Sequence, residues 1–142
     1  MKKIFFVFAV LLLIVACSKK DTKFEAFSAE AFAFDIGDGT AEVNATVRVK
    51  GFTQTEKDDN YKAEVAYEVD MIKPDSSVQK NIFTFVQSSE KKEAIGDIPL
   101  EVQFSLDSTY KEGVYTLVYN ISDKNSENKI EAKVNFDLKW EL

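Results

Sequence analysis

The residue best placed for chemistry is the one cysteine, Cys17, which closes an unbroken apolar run from Ile4 to Ala16, IFFVFAVLLLIVA. A thiolate is the nucleophilic form of that side chain, and alkylating it gives a thioether. The run follows a short basic start, Met1-Lys2-Lys3. Its 13 residues would make a helix about 20 Å long at ~1.5 Å per residue. A bilayer presents roughly 30 Å of hydrocarbon and asks for about 20 residues. A basic start, a short apolar run and a small residue at its end are the parts of a removable export signal.

The end of the run narrows the kind of signal. Ile14-Val15-Ala16-Cys17 resembles the lipobox of bacterial lipoproteins, with a branched apolar residue three places before the cysteine and a small one next to it. The resemblance implies cleavage between Ala16 and Cys17, a diacylglyceryl group on the Cys17 sulfur, and a mature protein anchored to a membrane through acyl chains. Each buried CH₂ contributes about 0.8 kcal/mol and one chain alone holds only marginally, so two or three chains make the anchor stable. Ser18 in the following position, where Asp marks retention at the inner membrane, implies the outer membrane. Which side of it the domain faces is left open.

Other chemistry is thinly supplied. Histidine is absent, which removes the commonest general base near neutral pH and the triads that depend on it. Asp35 and Asp38, set among glycines, offer carboxylates of the kind calcium takes. A calcium ion wants six to eight oxygens, however, and Asp-Gly pairs also serve tight turns. Asp123, Asn125, Glu127 and Asn128 pose the same choice. The expectation is turns at both places, with no metal and no cofactor. Paired carboxylates can hydrolyse glycosides without histidine, but no such pair stands out among 24 acidic residues, so no enzyme is expected.

Charge bounds the partners. Without residues 1–16 the chain has 16 basic against 24 acidic residues, a net charge of −8. Nucleic acid, bound by neutralising phosphates, is excluded as a partner, and the domain body should not lie on anionic lipid. Lys19, Lys20 and Lys23 next to the anchor could still favour headgroups.

What remains must be positioned by strands. Alternation of apolar and polar residues, the mark of a strand with one buried face, is clearest where Ile130, Ala132, Val134, Phe136, Leu138 and Trp140 interleave with charged or amide residues. It recurs over 41–50, 61–71 and 98–106, with Pro99 near the start of the last. Segments 24–34, 80–87 and 114–122 are apolar on both faces, as in a central strand or one whose outer face meets something else. Clusters of Gly, Pro, Asn, Asp and Ser separate the segments, and only 88–94 could make a helical turn. Seven strands without a convincing helix predict an antiparallel, immunoglobulin-like β-sandwich, with a small closed barrel as the alternative. The expected division is 1–16 export signal, 17–23 lipidated cysteine and tether, and 24–142 a single sandwich domain.

Gly113-Val114-Tyr115-Thr116-Leu117, followed by Ile121-Ser122-Asp123, resembles the penultimate strand of bacterial immunoglobulin-like domains, including PKD-type and macroglobulin-like ones. The resemblance implies a tyrosine corner at Tyr115, its hydroxyl bonding back to nearby backbone, with Tyr110 as substitute. Asp35 to Thr40 is similar to the turn of PKD-type domains, but about 75 residues separate the two motifs, so architecture alone carries over. Phe83 and Phe85 share one strand face, as do Tyr115 and Tyr119; a face left unburied would be an interaction surface. The functional expectation is a lipid-anchored, non-enzymatic module binding a protein or glycan partner at the cell envelope. The alternative is an inhibitor or chaperone-like sandwich that pairs a partner with a strand edge.

Overall fold

The computed structural model describes residues 22–141 and forms an all-β sandwich. Cys17 and most of the expected tether lie outside the described residues. Eight strands follow in order: β1 (Glu25–Gly37), β2 (Thr40–Lys50), β3 (Thr55–Lys57), β4 (Asn60–Ile72), β5 (Val78–Lys91), β6 (Asp97–Asp107), β7 (Gly113–Asp123) and β8 (Lys129–Leu138). β1, β2 and β6 make one antiparallel sheet, with β2 central. In the other, β4 pairs β5 on one side and β7 on the other, β7 pairs β8, and the short β3 folds onto the start of β4. In a constant-type immunoglobulin sandwich the fourth main strand joins the first sheet. Here the corresponding strand, β5, turns back and stays with β4.

Seven of these strands match the seven expected segments, four marked by alternation and three apolar on both faces; β3 and the far end of β5 depart from that reading. β3, Thr-Glu-Lys, has no apolar residue and therefore no periodic signal. It exists because Asp58 and Asp59 both take positive φ, 51° and 60°, the backbone of a tight two-residue hairpin. The helical turn that 88–94 could have made does not form: β5 continues to Lys91 because Ser88 to Lys91 pair with Tyr61 to Glu64 of β4. Long-range pairing has overridden local preference.

Alternate residues of β2, β4, β6 and β7 meet between the sheets. Val43, Val47, Val49, Val65, Leu100 and Leu117 are fully buried there. Tyr67 spans the sandwich, its hydroxyl donating to the Glu101 carbonyl at 2.7 Å and its ring stacking on Tyr119, 6.0 Å between centroids. Burial pushes the Tyr67 phenol up to about 12, partly offset by that hydrogen bond. Tyr115 donates to the Lys111 carbonyl at 2.7 Å, the contact that the tyrosine-corner resemblance implied, and stacks on Phe136 at 5.2 Å.

Tyr119 differs from its neighbours. Its hydroxyl is buried without a hydrogen-bond partner, and burial raises its pKa strongly. A buried, unsatisfied hydroxyl costs about 1–3 kcal/mol, whereas a satisfied one contributes about 1 kcal/mol. Tyr119→Phe is therefore expected to raise stability by roughly 1 kcal/mol, while Tyr115→Phe lowers it by about the same amount. Urea unfolding of the two variants at equal slope checks the opposite signs.

Candidate functional site

The strand directions define two poles. The starts of β1, β4, β6 and β8 meet the ends of β2, β5 and β7 at the pole where the chain enters, at Thr22 and Lys23. At ~3.3 Å per residue, β1 carries the chain about 40 Å to the opposite pole.

The entry pole is latched by Asp123, 3% exposed. Its carboxylate accepts from the Thr53 N–H at 2.7 Å, the Asn125 N–H at 3.0 Å and the Ser126 hydroxyl at 2.8 Å. Three protein donors thus converge on one carboxylate, which makes this loop a latch between the β2–β3 and β7–β8 connections. Burial raises the Asp123 pKa, but the Thr53, Asn125 and Ser126 donors outweigh it and hold the carboxyl below its usual value. A lowered folded-state pKa stabilises above the unfolded value near 3.9, and the contribution is lost as pH falls through the folded value. Asp123→Ala is expected to cost about 2 kcal/mol at neutral pH by orphaning these donors. It should also flatten the loss of stability below about pH 4, read as urea midpoints from pH 7 to 3.

Asp35 is a turn residue at the opposite pole. It accepts the Gly37 N–H at 2.8 Å and, with its other oxygen, the Glu141 N–H at 2.9 Å. Asp38 and Gly39, with φ of 54° and 67°, form the type I′ pair that closes the β1–β2 hairpin. Among the described residues no group of three His, Cys, Asp or Glu side chains converges as a metal site would require.

The aromatic candidates separate. Tyr115 and Tyr119, expected on an interaction surface, are 1% and 0% exposed. β7 lies between β4 and β8 and turns that face into the sandwich, so both tyrosines belong to the core. Phe83 and Phe85 stay together on β5, an edge strand rather than a central one. They pair across from Val69 and Tyr67, their rings 5.8 and 6.2 Å from that of Tyr67. Phe83 is half-buried and Phe85 is 49% exposed at the open flank between β5 and β6.

An irregularity anchors this strand. Between the pairs Val69–Phe83 and Met71–Gln79, Asp70 alone faces Lys80, Asn81 and Ile82. Asp70 takes the Asn81 N–H at 2.7 Å and the Lys80 ammonium at 2.9 Å, with Asn81 at a φ of 53°. The Asn81 N–H and then Lys80 hold its pKa below the carboxylate norm. Beyond this bulge, Asn81 to Ser89 is an uncharged edge.

A second apolar stripe lies on β1. Ala31 and Ala33 face the core, and Phe32, Phe34 and Ile36 stand outward from the three-stranded sheet, 58%, 43% and 55% exposed. The sequence signals this only as apolarity on both faces of 24–34, which a central strand would also show.

No family model matches the chain, and no curated protein matches it. Solved structures do. A calcium-binding mutant of Bacteroides uniformis beta-glucuronidase 2 superposes with a TM-score of 0.53 at 9% identity, over 79% of this chain and 13% of that one. A family 123 glycoside hydrolase from Clostridium perfringens gives 0.47 at 10% identity, over 69% of this chain and 21% of that one. The ApaA protein of Bordetella pertussis gives 0.40 at 13% identity, over 81% and 93%. The chain thus spans a small part of each of the two hydrolases, and at such identities the likeness to the glucuronidase is one of sandwich fold.

Proposed function

We propose that this chain is a lipid-anchored, non-enzymatic binding or assembly module of the bacterial envelope, held at the outer membrane by acyl chains on Cys17. The observation that carries the proposal is the position of the sole cysteine, at the end of a short apolar run and behind Ile14-Val15-Ala16. Residues 18–21 separate it from Thr22, where the described domain begins. At ~3.5 Å per extended residue, that leash reaches about 15 Å, which keeps the domain and its partner near the membrane.

A role through contact rather than turnover is supported by the chemistry of the described acids. The two buried carboxylates, Asp70 and Asp123, are occupied by N–H donors and held at lowered pKa, whereas a general acid or base works best with a pKa near the working pH. Histidine is absent from the sequence. A second reading, a partner strand added to an open sheet edge, is favoured by the uncharged run from Asn81 to Ser89 on β5. Sheet edges normally carry charges or proline against such pairing.

The test is crosslinking and protease shaving of intact cells that carry the full chain. A defined adduct in the outer-membrane fraction is expected, and the crosslinked residues separate a face contact on β1 from an edge contact on β5. Hydrolysis of an envelope glycan or peptide that one carboxylate-to-amide change abolishes would sink the non-enzymatic proposal.

A further inference from the structure

The outer side of an antiparallel sheet is normally polar where it faces water, and the three-stranded sheet departs from this along β1. Phe32 and Phe34 stack with centroids 6.2 Å apart, and Ile36 extends the ledge. Neighbouring strands continue the rows with polar residues: Asn44 and then Gln103 beside Phe32, Glu42 and then Ser105 beside Phe34. A shallow trough of about 450 Å³ adjoins Phe32 between Glu30 and Glu101.

On this sheet, away from the entry pole, the charge has one sign. No lysine or arginine occurs between Lys23 and Arg48, or between Lys92 and Lys111, the stretches that supply β1, most of β2 and all of β6. Arg48, near the entry pole, is paired with Asp97. Glu30, Glu42 and Glu101 join no ion pair among the described residues.

We propose that this face docks a basic, apolar-bearing segment of a partner protein. Apolar side chains would lie on Phe32 and Phe34, and a lysine or arginine would enter the trough between the Glu30 and Glu101 carboxylates. Charge selects that occupant. A second copy would set these carboxylates against their own kind in a two-fold contact, and anionic lipid is repelled in the same way. Aromatic anchors beside unpaired charge supply both affinity and specificity. The inference names the surface for the binding role proposed above. It stands on the folded domain alone, so a chain found without acyl groups leaves it intact.

The test uses the full-length chain in nanodiscs of zwitterionic lipid. The probe is a fluorescein-labelled peptide of alternating lysine and leucine, with an alternating glutamate–leucine peptide and a neutral glucan hexasaccharide as competitors of other chemistry. Anisotropy should show saturable binding of the lysine–leucine peptide, weakened about tenfold or more by Phe32→Ala with Phe34→Ala, one aromatic hot spot being worth at least that factor. Glu30→Gln with Glu101→Gln should weaken it similarly and flatten its salt dependence. Val114→Ala, which truncates a residue 56% exposed on the other sheet, should change nothing. All five positions are at the surface, and unchanged thermal melts confirm that the variants fold. An affinity indifferent to the two phenylalanines would overturn the proposal, because charge alone would then explain it. So would capture of the hexasaccharide or of a second copy by this face.

Discussion

Cys17→Ala is expected to leave an uncut precursor that takes up no fatty acid, an all-or-none change. The thiolate is the only nucleophile at the end of the apolar run able to accept a diacylglyceryl group, and the implied cleavage before Cys17 follows that transfer. Without it the chain keeps its first 16 residues, and the stable hold of two or three acyl chains, about 0.8 kcal/mol for each buried CH₂, is gone. Labelling with radioactive palmitate and the mass of the purified protein read both effects. Label on the alanine variant, or a wild-type protein that retains Met1, would remove the lipid anchor.

The largest effect expected within the folded domain belongs to Gly51, at the end of β2. Its φ is +74°, and a Cβ there would sit 2.1 Å from the Lys23 carbonyl oxygen and 2.6 Å from that of Thr22. Both obstacles are backbone, so no rotamer relieves them. Gly51→Ala should cost roughly 3 kcal/mol, combining positive-φ strain of about 1–2 kcal/mol with partial exposure of Phe24, now 7% exposed. Gly96→Ala is the control: nothing lies within 4 Å of its added Cβ, and it should stay within about 0.5 kcal/mol of wild type. Equal urea midpoints for the two variants would show that the close approach at Lys23 does not hold the entry strand.

Much of this architecture was legible because one buried face imposes period-2 alternation. β8, from Ile130 to Leu138, and β2, with Val43, Ala45, Val47 and Val49 inward, carry the pattern without interruption. Alternation says which residues share a face, not which face meets the core. Tyr115 and Tyr119 illustrate the gap, because only the stacking of the two sheets decides that their face of β7 is the buried one. Apolarity on both faces was equally ambiguous. It marks a central strand in β7, an aromatic flank in β5 and an exposed ledge in β1. β3 left no periodic trace, since backbone conformation at Asp58 and Asp59 makes it rather than side-chain burial. At Asp35 the turn contacts are partly non-local, since one of its oxygens takes the N–H of Glu141, 106 residues away.

The course of β1 has a mechanical consequence. The strand leaves the tether at one pole and ends beside Phe32, Phe34 and Ile36 near the other, so a load applied at the ledge and resisted at the membrane would pass along this one strand. The rest of the sandwich would carry little of the strain, and a taut connection could be borne without opening the core.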